Sequence, residues 1–501
     1  MTQLKAKIFE VEQGQNECVL NNLTAASLGL SIYDRVHLTL RGRQIVAIVD
    51  FSHHFIAEGE IGLFEEVAKL LDAKQGELIS IESLQRPLSL DYIKKKLDNK
   101  MLSQKEIHSI ISDLMAENLS STELAAFITA IYINGLSMDE TIALTNAIAQ
   151  SGDMLKVDHT IVVSEHSIGG VAGDRVSMML VPLIASLGIR IPKTAARAIS
   201  SASGTSDSME VLCPVTLTVP QIEAVVQKTN GCLVWGGAVR LASADDKLIR
   251  IRNPLHLDPK SLLLSSILAK KKAEGAQYVL IDIPVGRGAK IERIDEAKSL
   301  ARDFESLGMS LGMTIKCLIS DGSSPITSGI GPALEAREVL ATFETNEHNM
   351  LYEKACQMLG IVLHMVRGIT YQEGYNIAVA QMQSGKALQK FREIIGAQGG
   401  NPNIKSSEIE IGKLRAKIFS DERGKISHMD NKAISRICRM LGAPSDKKAG
   451  MILKVHKGQS VEVGDELAEL VATSQTKLDF VLANVPKTRI FELEKIIIDL
   501  V

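Results

Sequence analysis

Between about Thr160 and Gly400 the chain repeats one pattern: a short β-branched run, a loop that often contains glycine, and an amphipathic stretch of helical period. The runs are "TIVVS", "IRIPKT", "CLVWG", "QYVLIDIP" and "MTIKCLIS". Such alternation predicts a parallel sheet with helices on both faces, and ligands of that architecture gather at the C-terminal ends of the strands.

The loops at those ends share one chemistry. In "SEHSIGGVAGDR", Gly169, Gly170 and Gly173 let the backbone turn tightly and aim N–H groups outward. A helix follows, with Val176, Met179, Leu180, Leu183, Ile184 and Leu187 on one stripe, so its positive end backs the loop. That is a setting for an anion. It lacks the Gly-Lys-Ser/Thr ending of a Walker loop, Ile168 takes the first glycine's place in G-x-G-x-x-G, and Lys193 and Arg197 stand where a dinucleotide fold needs a carboxylate. The loop therefore suggests phosphate, without NAD or bound ATP. A ligand-free glycine turn is the plain alternative. "KTAARAISSASGTSD" crowds Arg197, Ser200, Ser201, Ser203, Gly204 and Thr205 together, all phosphate partners unless the loop merely caps the next helix. "VGRGAK" puts Arg287 and Lys290 on a third glycine turn, where surface charge is the competing explanation. Three such loops on one sheet imply room for more than one phosphate.

The rest of the chain divides around this block. Residues 1–88 alternate apolar and polar in "LKAKIFEV", "RVHLTL" and "QIVAIVDFS", predicting a β-rich domain. Residues 89–158 hold three amphipathic helices, "QKEIHSIISDLMAEN", "STELAAFITAIYING" and "SMDETIALTNAIAQSG", and form a helical domain joined by 243–274. The α/β domain covers 159–413. The last block, 414–501, is α+β and contains "MILKVHKGQSVEVGDELAELVAT", a hairpin pattern like that of lipoyl or biotinyl carriers; it has no Met-Lys pair at its tip, so it reads as structural. At 501 residues and 45% hydrophobic, the chain can bury several cores. A net charge of −3 gives no bias toward nucleic acid, and no uncharged apolar run nears the ~20 residues that span a bilayer. Six scattered cysteines without a C-x-x-C pair argue against zinc knuckles and disulfides, and fit a cytoplasmic setting.

"ASADDKLIRIRNPLHLDPKSLLLSSILAKKK" runs between the second and third loops. Asp258 before Pro259 reads as a helix N-cap, and N–H bonds to a carboxylate lower its pKa, the opposite of what a general acid needs. Both roles stay open. Asp245 and Asp246 are possible Mg²⁺ ligands, though Lys247, Arg250 and Arg252 favour ion pairing. His166 is a candidate for orienting substrate, and Trp235 reads as packing rather than a base platform.

Taken in order, "HSIGGVAGDR", "SGTSDSMEVL", "SSILAKKKAEGA", "ITSGIGPALEAREVL" and "SGKALQKFREIIGAQGGNP" resemble the thymidine phosphorylase, or pyrimidine-nucleoside phosphorylase, family. "SSASGTSDSMEVL", "VWGGAVRLASADDKLIRI", "VLIDIPVGRGAK" and the extra β-rich block look more like its AMP phosphorylase branch. The resemblance implies a helical domain, an α/β domain with the phosphate site and a C-terminal α+β domain. It also implies a homodimer or larger homo-oligomer, and no organic cofactor or metal, inorganic phosphate being the co-substrate. It assigns Gly170, Ala196, Arg197, Ala198, Ile199, Ser200, Ser201, Thr205, Ser266 and Lys290 to the substrate. Ser177 and Thr205 fall to phosphate, and Asp258 becomes proton donor to the departing base. Three departures point away from thymidine: Glu165 stands where thymidine-cleaving members have lysine, Ala195 replaces a hydroxyl, and Ile251 falls where an arginine reads the pyrimidine. The expected reaction is phosphorolysis of an AMP-like nucleoside 5′-monophosphate to free base and ribose 1,5-bisphosphate. Thymidine phosphorolysis and phosphoribosyl transfer are the alternatives among enzymes; a non-catalytic assembly protein would leave three anion loops unexplained.

Overall fold

The computed structural model describes residues 2–157, 161–198, 201–485 and 489–494. The chain forms two compact units, Met1–Gly152 with Ala242–Ala269, and Asp153–Leu241 with Lys270–Val501.

The first unit opens with six strands: β1 (Thr2–Ile8), β2 (Glu17–Asn21), β3 (Arg35–Leu40), β4 (Arg43–Ser52), β5 (Glu60–Leu63) and β6 (Leu78–Leu84). Every second residue turns inward, as with Leu4 and Ala6, Val36, Leu38 and Leu40, and Ile79 and Ile81, giving the period of two of a half-buried strand. The strands close into a barrel in the order β1-β5-β2-β4-β3-β6, with β6 returning to β1. Closure leaves no sheet edge to pair with another chain. The pairs β1/β5 and β2/β4 are parallel. Helices Ser89–Leu97, Gln104–Met115, Ser121–Asn134, Met138–Gln150 and Ser243–Leu255 share an apolar core that includes Ile110, Phe127, Ile128, Leu144 and Leu248. Three of them start with capping boxes, Ser103/Glu106, Ser120/Glu123 and Ser137/Glu140. Buried Arg35 ties barrel to bundle by donating to the Asn118 carbonyl and pairing with Glu123.

The second unit is built on five parallel strands: β7 (Val163–Ser167), β8 (Ile191–Ala195), β9 (Gly231–Trp235), β10 (Tyr278–Val285) and β11 (Thr314–Asp321). The ladders run β11-β10-β7 and β8-β9, and a single Val162–Arg190 bridge joins β7 to β8. A fully buried carboxylate reinforces that thin junction: Glu274 accepts from Ser164 of β7 (2.6 Å) and from the Thr194 hydroxyl of β8, with Lys271 as counter-ion (3.1 Å). Helices Val176–Ser186, Met350–Arg367 and Lys386–Ala397 pack with the strands in a core containing Met179, Leu183, Leu280, Leu359 and Phe391.

β7 departs from the sequence expectation. Of the predicted strand Thr160–Ser164, Thr160 lies outside the described residues and Val163 and Ser164 are strand; Glu165, His166 and Ser167 are strand instead of loop, paired with Leu280, Ile281 and Asp282 of β10. Hydrophobic patterning points elsewhere because ionic partners, Lys193 for Glu165 and Asp282 for Ser167, and not apolar contacts, satisfy side chains of this strand.

The C-terminal part of this unit adds β12 (Gly329–Ile330), β13 (Leu414–Phe419), β14 (Gly424–Met429), β15 (Gly450–Leu453), β16 (Ser460–Val461), β17 (Glu466–Ala472) and β18 (Phe491–Glu494). They form sheets of order β12-β15-β17-β13 and β16-β14-β18. β12 lies just after the α/β strands, so the carrier-like β15/β17 hairpin is sewn to the α/β part through it.

Candidate active site

The glycine loop links β7 to helix Val176–Ser186. Gly169, Gly170 and Gly173 have φ of 85°, 96° and 71°, a region L side chains avoid. A Cβ on Gly170 would lie 2.5 Å from the Lys290 backbone nitrogen and 3.1 Å from the Ala289 carbonyl carbon, so this loop and the "VGRGAK" turn meet backbone to backbone. The structure thus brings Gly170 and Lys290 together. Lys290 itself is exposed, and its neighbour Arg287 pairs with Glu492 of β18 at 2.7 Å.

Buried charge fixes both ends of the loop. Ser167 donates to Asp282 (3.1 Å) and accepts from the Gly169 N–H (3.3 Å). Lys354 bridges Asp282 (2.7 Å) and Asp174 (2.9 Å), and Asp174 accepts from the Val176 N–H that opens the helix (3.2 Å). Ser320 adds a bond to Asp282 at 2.6 Å. Burial raises the Asp282 pKa while Lys354 pulls it back; for Lys354, burial is outweighed by the two carboxylates and its pKa rises. Next along, Arg175 reaches Glu335 (2.6 Å) and the Ser203 carbonyl (2.5 Å), linking the first loop to the second.

Glu165 is fully buried, accepting from Ser177 Oγ (2.7 Å) and from Lys193 Nζ (3.0 Å). Ser177 therefore spends its one hydroxyl proton on Glu165. His166, partly buried on β7, has its pKa driven well below the usual value by burial and then by Lys271, Lys193, Lys270 and Lys290, so its ring is neutral near pH 7.

The second loop follows β8. Ile199 and Ser200 lie outside the described residues. Arg197 grips Glu210 with two bonds (2.7 and 2.5 Å), touches Asp207 (3.2 Å) and stacks 4.7 Å over Trp235. That pairing holds the Glu210 carboxyl down to about 2. The guanidinium read from sequence as an anion partner thus already has two carboxylate partners, and Trp235 is its platform. Asp207 also accepts from the N–H groups of Ala198 (2.7 Å) and Gly204 (2.9 Å), and Ser201 donates to the Ser203 carbonyl (2.9 Å). The Ala196 carbonyl accepts from the Ser206 N–H (3.4 Å) in helix Thr205–Met209, whose first residue is Thr205.

In the first unit, Ser266 donates to buried Asp245 (2.7 Å) and Asp258 accepts from Arg252 (2.9 Å) just before helix Lys260–Ala273. Lys247 pairs with Glu117. No group of three or more His, Cys, Asp or Glu with metal-holding geometry occurs among the described residues.

These loops belong to a chain with known relatives. Residues 90–152 match the helical bundle domain of a glycosyl transferase family, and 159–388 match that family's α/β domain. The chain is 43% identical to AMP phosphorylase of Methanosarcina mazei, over 97% of this chain and 96% of that one. It is also 43% identical to AMP phosphorylase of Pyrococcus furiosus, over 95% and 94%. The chain belongs to the AMP phosphorylase family. Among solved structures, anthranilate phosphoribosyltransferases share the fold. That of Thermus thermophilus has TM-score 0.52 and 16% identity over 62% of this chain and 99% of that one. That of Saccharomyces cerevisiae has 0.51 and 16% over 63% and 98%.

Family membership leaves the supporting residues to the structure. Lys354 and Glu274 leave no signal in the sequence, since a lysine in an amphipathic helix and an acid just past a helix end look like ordinary surface charge; Asp282 does leave one, a carboxylate in the middle of the apolar run of β10. Burial is what distinguishes them. No helix among the described residues is long and apolar enough to cross a membrane.

Proposed function

We propose that the protein catalyses phosphorolysis of AMP or a closely related nucleoside 5′-monophosphate. Inorganic phosphate attacks C1′ of the ribose as the N-glycosidic bond breaks; the products are free base and ribose 1,5-bisphosphate. The observation carrying this reading is identity of about two residues in five to AMP phosphorylases over nearly the whole of both chains. As the bond breaks, the sugar gains positive and the base negative charge, so catalysis calls for fixed anion holders and a proton donor at the base.

In this proposal Asp258 protonates the base, and Ser177 and Thr205 meet inorganic phosphate. Gly170, Ala196, Arg197, Ala198, Ile199, Ser200, Ser201, Thr205, Ser266 and Lys290 bind the nucleotide. Their hydrogen-bond partners bear on how some of them would act. Ser177 and Ser266 donate to Glu165 and Asp245, so to bond a phosphate oxygen either hydroxyl would turn its proton away from that carboxylate, and otherwise it can only accept from a donor on the ligand. Arg197, held by Glu210 and Asp207, would meet the nucleotide as a member of that ion-pair network and not as an unpaired charge. Thr205 opens the helix behind that loop, where a hydroxyl suits an anion. The reaction needs neither organic cofactor nor metal, and the proposal includes a cytoplasmic homo-oligomer, a dimer or larger.

The test is a panel of AMP, CMP, UMP, thymidine and uridine with and without inorganic phosphate, following base release. AMP is expected to give the highest kcat/KM, with release strictly dependent on phosphate. Preference for thymidine over every nucleotide would overturn the substrate, and release requiring pyrophosphate and Mg²⁺ would overturn the reaction class.

A further inference from the structure

Asn431 opens helix Asn431–Leu441 of the C-terminal part, far in sequence from the anion loops, and is 2% exposed. Its Oδ1 accepts from the Ala172 N–H in the glycine loop (3.0 Å), and its Nδ2 donates to the Gly322 carbonyl after β11 (3.0 Å). The amide orientation is forced, because one partner can only donate and the other only accept. Between these two points lies the "VGRGAK" turn. Gly170 abuts Lys290 N on one side; on the other, a Cβ at Gly322 would sit 3.0 Å from Ala289 Cβ. One side chain therefore bridges the backbone segments that end β7 and β11, both of which abut the turn after β10.

We infer that Asn431 is a positioning residue that sets the spacing between the glycine loop and the Lys290 turn, and so the fit of a ligand carrying two anionic groups. The inference rests on the proposed phosphorolysis of nucleotides. It makes the C-terminal part a clamp on the anion loops instead of an appended module. A ligand with a single anion to place should be less sensitive to that spacing than one with two.

The experiment compares wild type, Asn431→Ala and Ile434→Ala in the full chain. Ile434 lies in the same helix and is fully buried in the C-terminal core, so its truncation destabilises that core while removing no hydrogen bond to either loop. For Asn431→Ala, the ratio of kcat/KM for AMP over adenosine should fall about 5- to 30-fold, the equivalent of one or two neutral hydrogen bonds. Amide exchange should quicken in peptides covering 168–175 and 286–291. Ile434→Ala should lower the Tm while leaving the ratio and those peptides unchanged. An unchanged ratio with unchanged exchange in Asn431→Ala, or equal changes in Ile434→Ala, would overturn the inference. Wild type inactive on AMP would instead refute the proposed function, and exchange alone would then decide whether Asn431 holds the loops.

Discussion

Replacing Lys354 by methionine strips the cation from two carboxylates that hold the ends of the glycine loop, Asp282 at 2.7 Å and Asp174 at 2.9 Å. Methionine roughly fills the same volume, so the loss is chiefly electrostatic. Removing one partner of a buried pair costs about 3–5 kcal/mol, because the remaining charge is left uncompensated. For a unit of this size that corresponds to a fall in Tm on the order of 10 °C. The loss should depend on pH in a definite direction. Burial raises the Asp282 pKa in the folded protein, and Lys354 opposes that rise. A carboxyl with a raised folded pKa contributes stability that is full below its unfolded pKa and is lost as pH climbs through the folded one. Without Lys354 the folded pKa rises further and the window widens, so the deficit relative to wild type should be larger at pH 8 than at pH 5. Thermal melts by circular dichroism at the two pH values measure it. A deficit equal at both, or larger at pH 5, would refute the claim that Lys354 serves to neutralise Asp282.

Gly170→Ala should lower kcat/KM for AMP by at least a decade with a modest change in Tm, since its Cβ would fall 2.5 Å from the Lys290 nitrogen at a φ of 96°; near-wild-type kinetics would mean the two loops can separate freely. Thr205→Ala should raise the phosphate KM by the loss of a bond to a charged group, about 1.5–3 kcal/mol, and unaltered phosphate kinetics would remove Thr205 from the site. Lys290→Ala should lower kcat/KM for AMP by about one to two decades while sparing adenosine, which lacks the 5′-phosphate; equal losses for both substrates would assign Lys290 to the shared chemistry.

What the sequence made legible follows from which forces leave a local mark. β8, β9, β10 and β11 fall on the short apolar runs read as strands and pair in parallel, and the capped helices of the bundle announce themselves through Ser-x-x-Glu boxes. β7 hides because its side chains at Ser164, Glu165 and Ser167 are satisfied by Glu274, Lys193 and Asp282, none nearby in sequence. The parallel pairs that close the barrel leave no mark either, since pairing β1 with β5 depends on chain path rather than composition. The glycines of the first loop do take the positive φ that the sequence suggests, but the reason for Gly170, contact with the Lys290 turn, is a long-range fact. Arg197 shows the converse: a basic residue in a Ser/Gly loop suggests an anion, while Glu210 and Asp207, a few residues downstream, already pair with it.

The most direct test of the central claim is the identity of the product. AMP incubated with the protein and inorganic phosphate should yield adenine and a second phosphate ester on the same ribose, seen by ³¹P NMR as two ester signals in equal amounts growing as inorganic phosphate is consumed. Adenine appearing with ribose 5-phosphate and no consumption of phosphate would show hydrolysis, and no loss of AMP would contradict the account altogether.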